Sequence, residues 1–147
     1  MTEINIREKL RMIQMELKAP KGQTNSFGRY KYRSAEDILE AVKPVAHKYN
    51  CAIVVSDEMI QLGDRFYIKS TCALVDTNTD QMLNSFAYAR ESATKKGMDD
   101  SQITGSASSY ARKYAMNGLF AIDDTKDADA TNTHDKQISK QSMEDII

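Results

Sequence analysis

Apolar positions in the first third of the chain recur with helical spacing. Ile6, Leu10, Ile13 and Leu17 follow one another at steps of four, three and four, which is one face of an amphipathic helix. Pro20 and Gly22 close that helix near residue 18. Residues 21–28 are polar, contain glycine and read as a loop. Arg29 to Arg33 alternates basic and aromatic residues, so a short strand here would carry three cations on one face and two tyrosines on the other. Ser34-Ala35-Glu36-Asp37 has the form of a capping box. It opens a second helix whose apolar face is Ile38, Leu39, Val42, Val45, Ala46 and Tyr49. Pro44 falls inside this helix, and an interior proline costs about 3 kcal/mol, so a kink or a break is predicted there.

Beyond residue 50 the pattern changes to that of strands. Cys51 to Met59 and Arg65 to Val75 read as two strands joined across Gln61-Leu62-Gly63-Asp64. Asp76 to Asp80 is a second turn, and Gln81 to Arg90 a third strand, which makes a three-stranded antiparallel meander. Asp99 or Asp100 caps a last helix reaching about Leu119. On it Ile103, Ala107, Tyr110, Ala111 and Tyr114 are predicted to share a face that packs on the sheet. The order α, short β, α, βββ, α predicts an α+β domain over residues 1–122, with no internal repeat.

The sequence has 147 residues, enough for one domain with its own core. No apolar run approaches the length of a membrane span, and no signal-peptide h-region is visible, so a cytoplasmic protein is expected. The net charge of −1 conceals an asymmetry. Residues 1–122 hold 17 Lys/Arg against 14 Asp/Glu, whereas residues 123–147 hold 3 against 7. That last segment has no aromatic residue and few apolar ones before its end, and is expected to be a disordered acidic tail.

Little in the chain points to catalysis. Neither a G-x-x-x-x-G-K-[ST] nor a G-x-G-x-x-G loop is present, so no nucleotide cofactor is expected. Cys51, Cys72, His47 and His134 are the only cysteines and histidines, without the paired spacing of a zinc site; buried, reduced thiols are the simpler expectation. The acidic clusters Asp99-Asp100 and Asp123-Asp124 onward open a helix and begin the tail, which is not the converging set a metal-dependent nuclease needs.

Two stretches carry a binding signature instead. Residues 18–33 hold Lys18, Lys21, Arg29, Lys31 and Arg33 without one acid, interleaved with Phe27, Tyr30 and Tyr32. Cations for phosphates and flat rings for bases are the two ingredients of a single-strand nucleic-acid groove. The same residues also fit a solvated strand face with an aromatic core side. In the second stretch, Gly105, Ser109 and Arg112 line up on the last helix. Small residues leading to a guanidinium suit either tight packing on the sheet or a close-passing phosphate chain.

GSASSYARKYAMNGLFAIDDTKDAD, together with YKYRSAEDILEAVKP, closely resembles the ERF (essential recombination function) family of phage single-strand annealing proteins, over roughly residues 1–129. The resemblance implies a Rad52-like β-β-β-α core and a homo-oligomeric ring or filament with DNA in an outer groove. It implies annealing of complementary single strands in homologous recombination without ATP. It assigns Arg33, Arg112 and Lys113 to the DNA backbone, with Arg29, Lys31 and Tyr32 flanking the path and Lys95 and Lys96 at the rim. Implied partners are single-stranded DNA, further copies of the chain, and a host or phage single-stranded-DNA-binding protein or exonuclease. The chain is short for the family, so any host contact is expected to use little more than the tail. The competing expectation is a module that coats or loads single strands without pairing them; a nuclease or a pure protein-interaction domain are the remaining alternatives.

Overall fold

The computed structural model describes residues 4–21, 23–25, 30–91 and 100–122. Helix α1 spans Ile6–Glu16 and is capped by Asn5, whose side chain accepts from the Glu8 N–H at 2.9 Å. Two three-residue strands follow, β1 (Gln23–Asn25) and β2 (Tyr30–Tyr32), paired antiparallel. The segment around Gln23 reads as loop in the sequence because it is polar; it becomes a strand by supplying β2 with a hydrogen-bonding partner.

Helix α2 (Ala35–Lys48) starts at the expected capping box, with Ser34 Oγ accepting from the Asp37 N–H and the Asp37 carboxylate accepting from the Ser34 N–H. Of the kink or break predicted at Pro44, the break does not occur: the helix continues through it. Pro44 lies on the exposed side, where water can solvate the carbonyl that loses its partner. On the opposite side Ile38, Val42 and Ala46 are buried in the core and hold the helix together.

Strands β3 (Cys51–Leu62), β4 (Arg65–Asp76) and β5 (Met82–Arg90) form one antiparallel sheet in that order. The first hairpin is tighter than the sequence predicts: only Gly63 and Asp64 turn, and Leu62 pairs with Arg65. Gly63, at φ 64°, occupies the first central position, where a two-residue hairpin loop calls for glycine. Helix α3 (Asp100–Phe120) completes the expected β-β-β-α order and packs on β4 and β5. It ends with Ala121 at φ 56° and the Ile122 N–H on the Asn117 carbonyl at 2.9 Å, a left-handed cap that closes the last turn.

The core lies between the inner face of the sheet and the three helices. Ile6 and Ile13 of α1, Ile38 and Val42 of α2, Cys72 and Leu74 of β4, and Met116, Leu119 and Phe120 of α3 meet there. Cys51 and Cys72 are both free and buried; burial raises the Cys51 thiol and pushes Cys72 up to about 12, so neither is a nucleophile at neutral pH. One ion pair sits inside this core: Lys9 Nζ is 3.0 Å from the Asp76 carboxylate, with the two side chains 3% and 0% exposed. Among the described residues no helix is long and apolar enough to cross a membrane, and no cluster of His, Cys, Asp and Glu could hold a metal. The acidic tail from residue 123 lies outside the described residues.

Candidate nucleic-acid interface

Helix α3 divides its surface unequally. Ile103, Ala107 and Ala111 are buried against the sheet as expected, but Tyr110 and Tyr114 are not: they are 58% and 42% exposed. A helical step of three from Ala107 or Ala111 rotates a side chain about 60° off the buried stripe, which places both tyrosines at its margin. Their rings contact each other at 4.9 Å between centroids. The buried stripe continues instead through Ala115, Met116, Leu119 and Phe120.

The two stretches singled out in the sequence meet at this helix. Lys113 Nζ stands 5.6 Å from the centroid of the Tyr32 ring, joining the basic-aromatic strand β2 to α3 by a cation–π contact. The neighbouring Arg112 turns the other way, to β3. Its Nη2 is 3.0 Å from the Asp57 carboxylate, and its Nε is 3.1 Å from each Asp57 oxygen. Asp57 also accepts from Ser70 Oγ at 2.6 Å and from the Ser108 hydroxyl. Burial alone would raise the Asp57 carboxyl, but the Arg112 guanidinium and the two hydroxyls outweigh it and hold the group below its usual range. Arg112 is 44% exposed and also borders an open cleft of about 500 Å³ between α2 and β3, with Lys43 and His47 beside it.

Arg33 has a different setting. It is 7% exposed, and its Nε donates to the Ala19 carbonyl at 2.8 Å, tying the segment after α1 to the start of α2. So enclosed a guanidinium presents little surface to a phosphate chain. Lys31 is placed only as a backbone position in β2, opposite Thr24. Arg29, Lys95 and Lys96 lie outside the described residues. Sequence reasoning missed Asp57, whose partner Arg112 is 55 residues away, and it buried the two tyrosines. Alternation along β3 places Asp57 on the inner face with Cys51, Ile53 and Val55, and a charge on that face was the available signal.

Gly105 bears on the small-residue stretch. A Cβ built on it meets nothing within 4 Å, so packing among the described residues does not require glycine there. Gly105→Ala is expected to stabilise the fold by about 0.5–1 kcal/mol in urea denaturation through helix propensity alone. A lowered midpoint would mean that another segment packs on this side of α3.

A family model described as the ERF superfamily matches residues 6–145. The chain is 53% identical over 129 residues to the Essential recombination function protein of Salmonella phage P22, covering 88% of this chain and 60% of that relative. It thus spans less than two thirds of that relative's length. No solved structure matches the chain significantly. Of the two stretches that suggested the family, residues 30–44 lie on β2 and α2 and residues 105–120 on α3, the family match spans every described element from α1 to α3, and over half of the aligned residues are identical; the chain belongs to the ERF superfamily.

Proposed function

We propose that this protein anneals complementary single strands of DNA in phage-type homologous recombination, without hydrolysing a nucleotide. The observation that carries the reading is the meeting of β2 and α3 at Tyr32 and Lys113, beside the exposed Tyr110–Tyr114 pair. A cation beside exposed rings on one surface, with Arg112 on the neighbouring side of the same helix, suits a strand whose phosphates are neutralised and whose bases remain accessible. Membership in the ERF superfamily and the name of the phage relative support a recombination role.

Annealing needs little chemistry from the protein. Two strands repel through their phosphates; Lys113 and Arg112 reduce that repulsion along one of them. Bases held outward then sample register on the second strand. Pairing itself supplies on the order of 1.4 kcal/mol per step, so no ATP is called for. One subunit offers few cations, and several copies in a ring or filament would sum many weak contacts along a strand. Edge strands β3 and β5, which no further described strand covers, are the natural places for such copies to join.

The deciding experiment mixes two complementary dye-labelled oligonucleotides with the full chain, without ATP, and follows energy transfer. Duplex formation should accelerate well above the protein-free rate at low salt and less so at high salt. Binding of single strands without acceleration would favour a coating or loading module. Absence of binding would overturn the reading.

A further inference from the structure

The outer face of the sheet, turned away from the helices, is not used by anything described so far. Strand register places Glu58 on β3, Arg65, Tyr67, Lys69 and Thr71 on β4, and Phe86, Tyr88 and Arg90 on β5 along this face. Phe86 and Tyr88 are 55% and 51% exposed and meet edge to face, their centroids 5.8 Å apart. Lys69 Nζ lies 4.5 Å from the Phe86 centroid and 5.9 Å from that of Tyr88. Three cations, Arg65, Lys69 and Arg90, thus accompany these rings, against the single acid Glu58 of β3. Tyr88 and Arg90 also line an open cleft of about 370 Å³ that they share with Ser106 and Tyr110 of α3. The outer face is therefore joined around the β5 edge to the surface that carries Tyr110, Tyr114 and Lys113.

From this we infer that the outer face of the sheet is a stacking platform for single-stranded DNA, with Phe86 and Tyr88 receiving bases and Lys69 neutralising the adjoining phosphate. The inference rests on the single-strand reading of the α3 surface and extends its path past Tyr110 and Tyr88 onto β5. Charge decides the occupant. An apolar partner or a second copy packed over the rings would desolvate Lys69, Arg65 and Arg90 at a cost, whereas a polyanion gains from all three. Stacking on flat rings also accepts any base, which an annealing protein requires.

The chain contains no tryptophan, so Phe86→Trp places a single reporter on the platform. Titrating that variant with oligothymidylate should quench its emission as bases stack. Anisotropy of labelled oligothymidylate should show binding weakened roughly tenfold by Phe86→Ala or by Tyr88→Ala, and further by both. More than half exposed, neither side chain supports the core, and circular dichroism checks that the variants fold. Undiminished binding by the double variant, with unquenched tryptophan, overturns the platform and leaves the annealing reading standing. Loss of self-association at undiminished DNA affinity overturns it as well and gives the face to a second copy. If the unaltered chain does not bind the oligonucleotide, both readings fail.

Discussion

Replacing Lys9 by methionine should destabilise the fold by roughly 3–5 kcal/mol, the cost of leaving one member of a buried ion pair without its counter-charge. A domain of this size has only about 5–15 kcal/mol in total, so the urea midpoint should fall steeply. Asp76 is the group left behind. It is fully enclosed, and apart from its ion pair with Lys9 its other oxygen accepts from the Asn78 N–H at 2.9 Å, which shapes the turn between β4 and β5. Asp76→Asn keeps an acceptor for that N–H while removing the charge. The double variant Lys9→Met/Asp76→Asn should therefore recover much of the stability lost by Lys9→Met alone. A single-variant loss under about 0.5 kcal/mol would show that water reaches the pair and that its burial counts for little.

The same pair sets the acid limit of the fold. Burial pushes the Asp76 carboxyl up, but the Asn78 N–H, the Lys9 ammonium and Thr79 together bring it below its usual value. A carboxyl depressed in the folded state contributes stability that is fully present above its unfolded pKa of about 3.9 and is lost as pH falls through the folded value. Asp57 acts in the same direction through Arg112 and its two hydroxyl donors. Stability should thus be flat on this account from neutral pH down to about 5 and decline below 4. In Lys9→Met the decline should begin at higher pH, because Asp76 loses one of the groups that hold it ionised.

Local signals in the chain were legible where a few neighbouring residues decide the outcome. The capping box at Ser34, the meander and the β-β-β-α order follow from caps, turns and period, all of short range. Lys9 shows where such reading ends. It stands three residues after Ile6 and four before Ile13, within the apolar stripe, but only the fold brings Asp76 of β4 to it. Pro44 misleads in the opposite way: its propensity cost is real, and core packing of Ile38, Val42 and Ala46 outweighs it. Tyr110 and Tyr114 fail for a geometric reason, since helical periodicity places a residue at the margin of a stripe without saying whether a neighbour covers it. Phe86 and Tyr88 are similar. Their alternation marks one face of a strand, and whether that face is covered depends on where the helices lie.

Arg112 offers the sharpest test of how the site handles phosphate. Arg112→Ala should weaken binding to all single-stranded sequences alike and reduce the slope of log affinity against log salt by about 0.7, the value for one lost contact on a single strand. The pair with Asp57 is partly exposed, so its stability cost should stay near 1 kcal/mol and leave the fold intact. Asp57→Asn is the more informative partner. In the folded protein the carboxylate engages the Nε–Nη2 edge of the guanidinium and competes with any phosphate for it. Removing its charge should tighten single-strand binding several-fold at low salt while slightly destabilising the protein, a divergence that a purely structural role for Asp57 would not produce. Deleting a nearby negative charge also favours DNA through the general field, and the double variant separates the two effects. If the gain from Asp57→Asn disappears in the Arg112→Ala background, the carboxylate acts by restraining that one guanidinium. A gain that survives there would place the phosphate path elsewhere on α3, with Lys113 and Tyr32 as its remaining anchors.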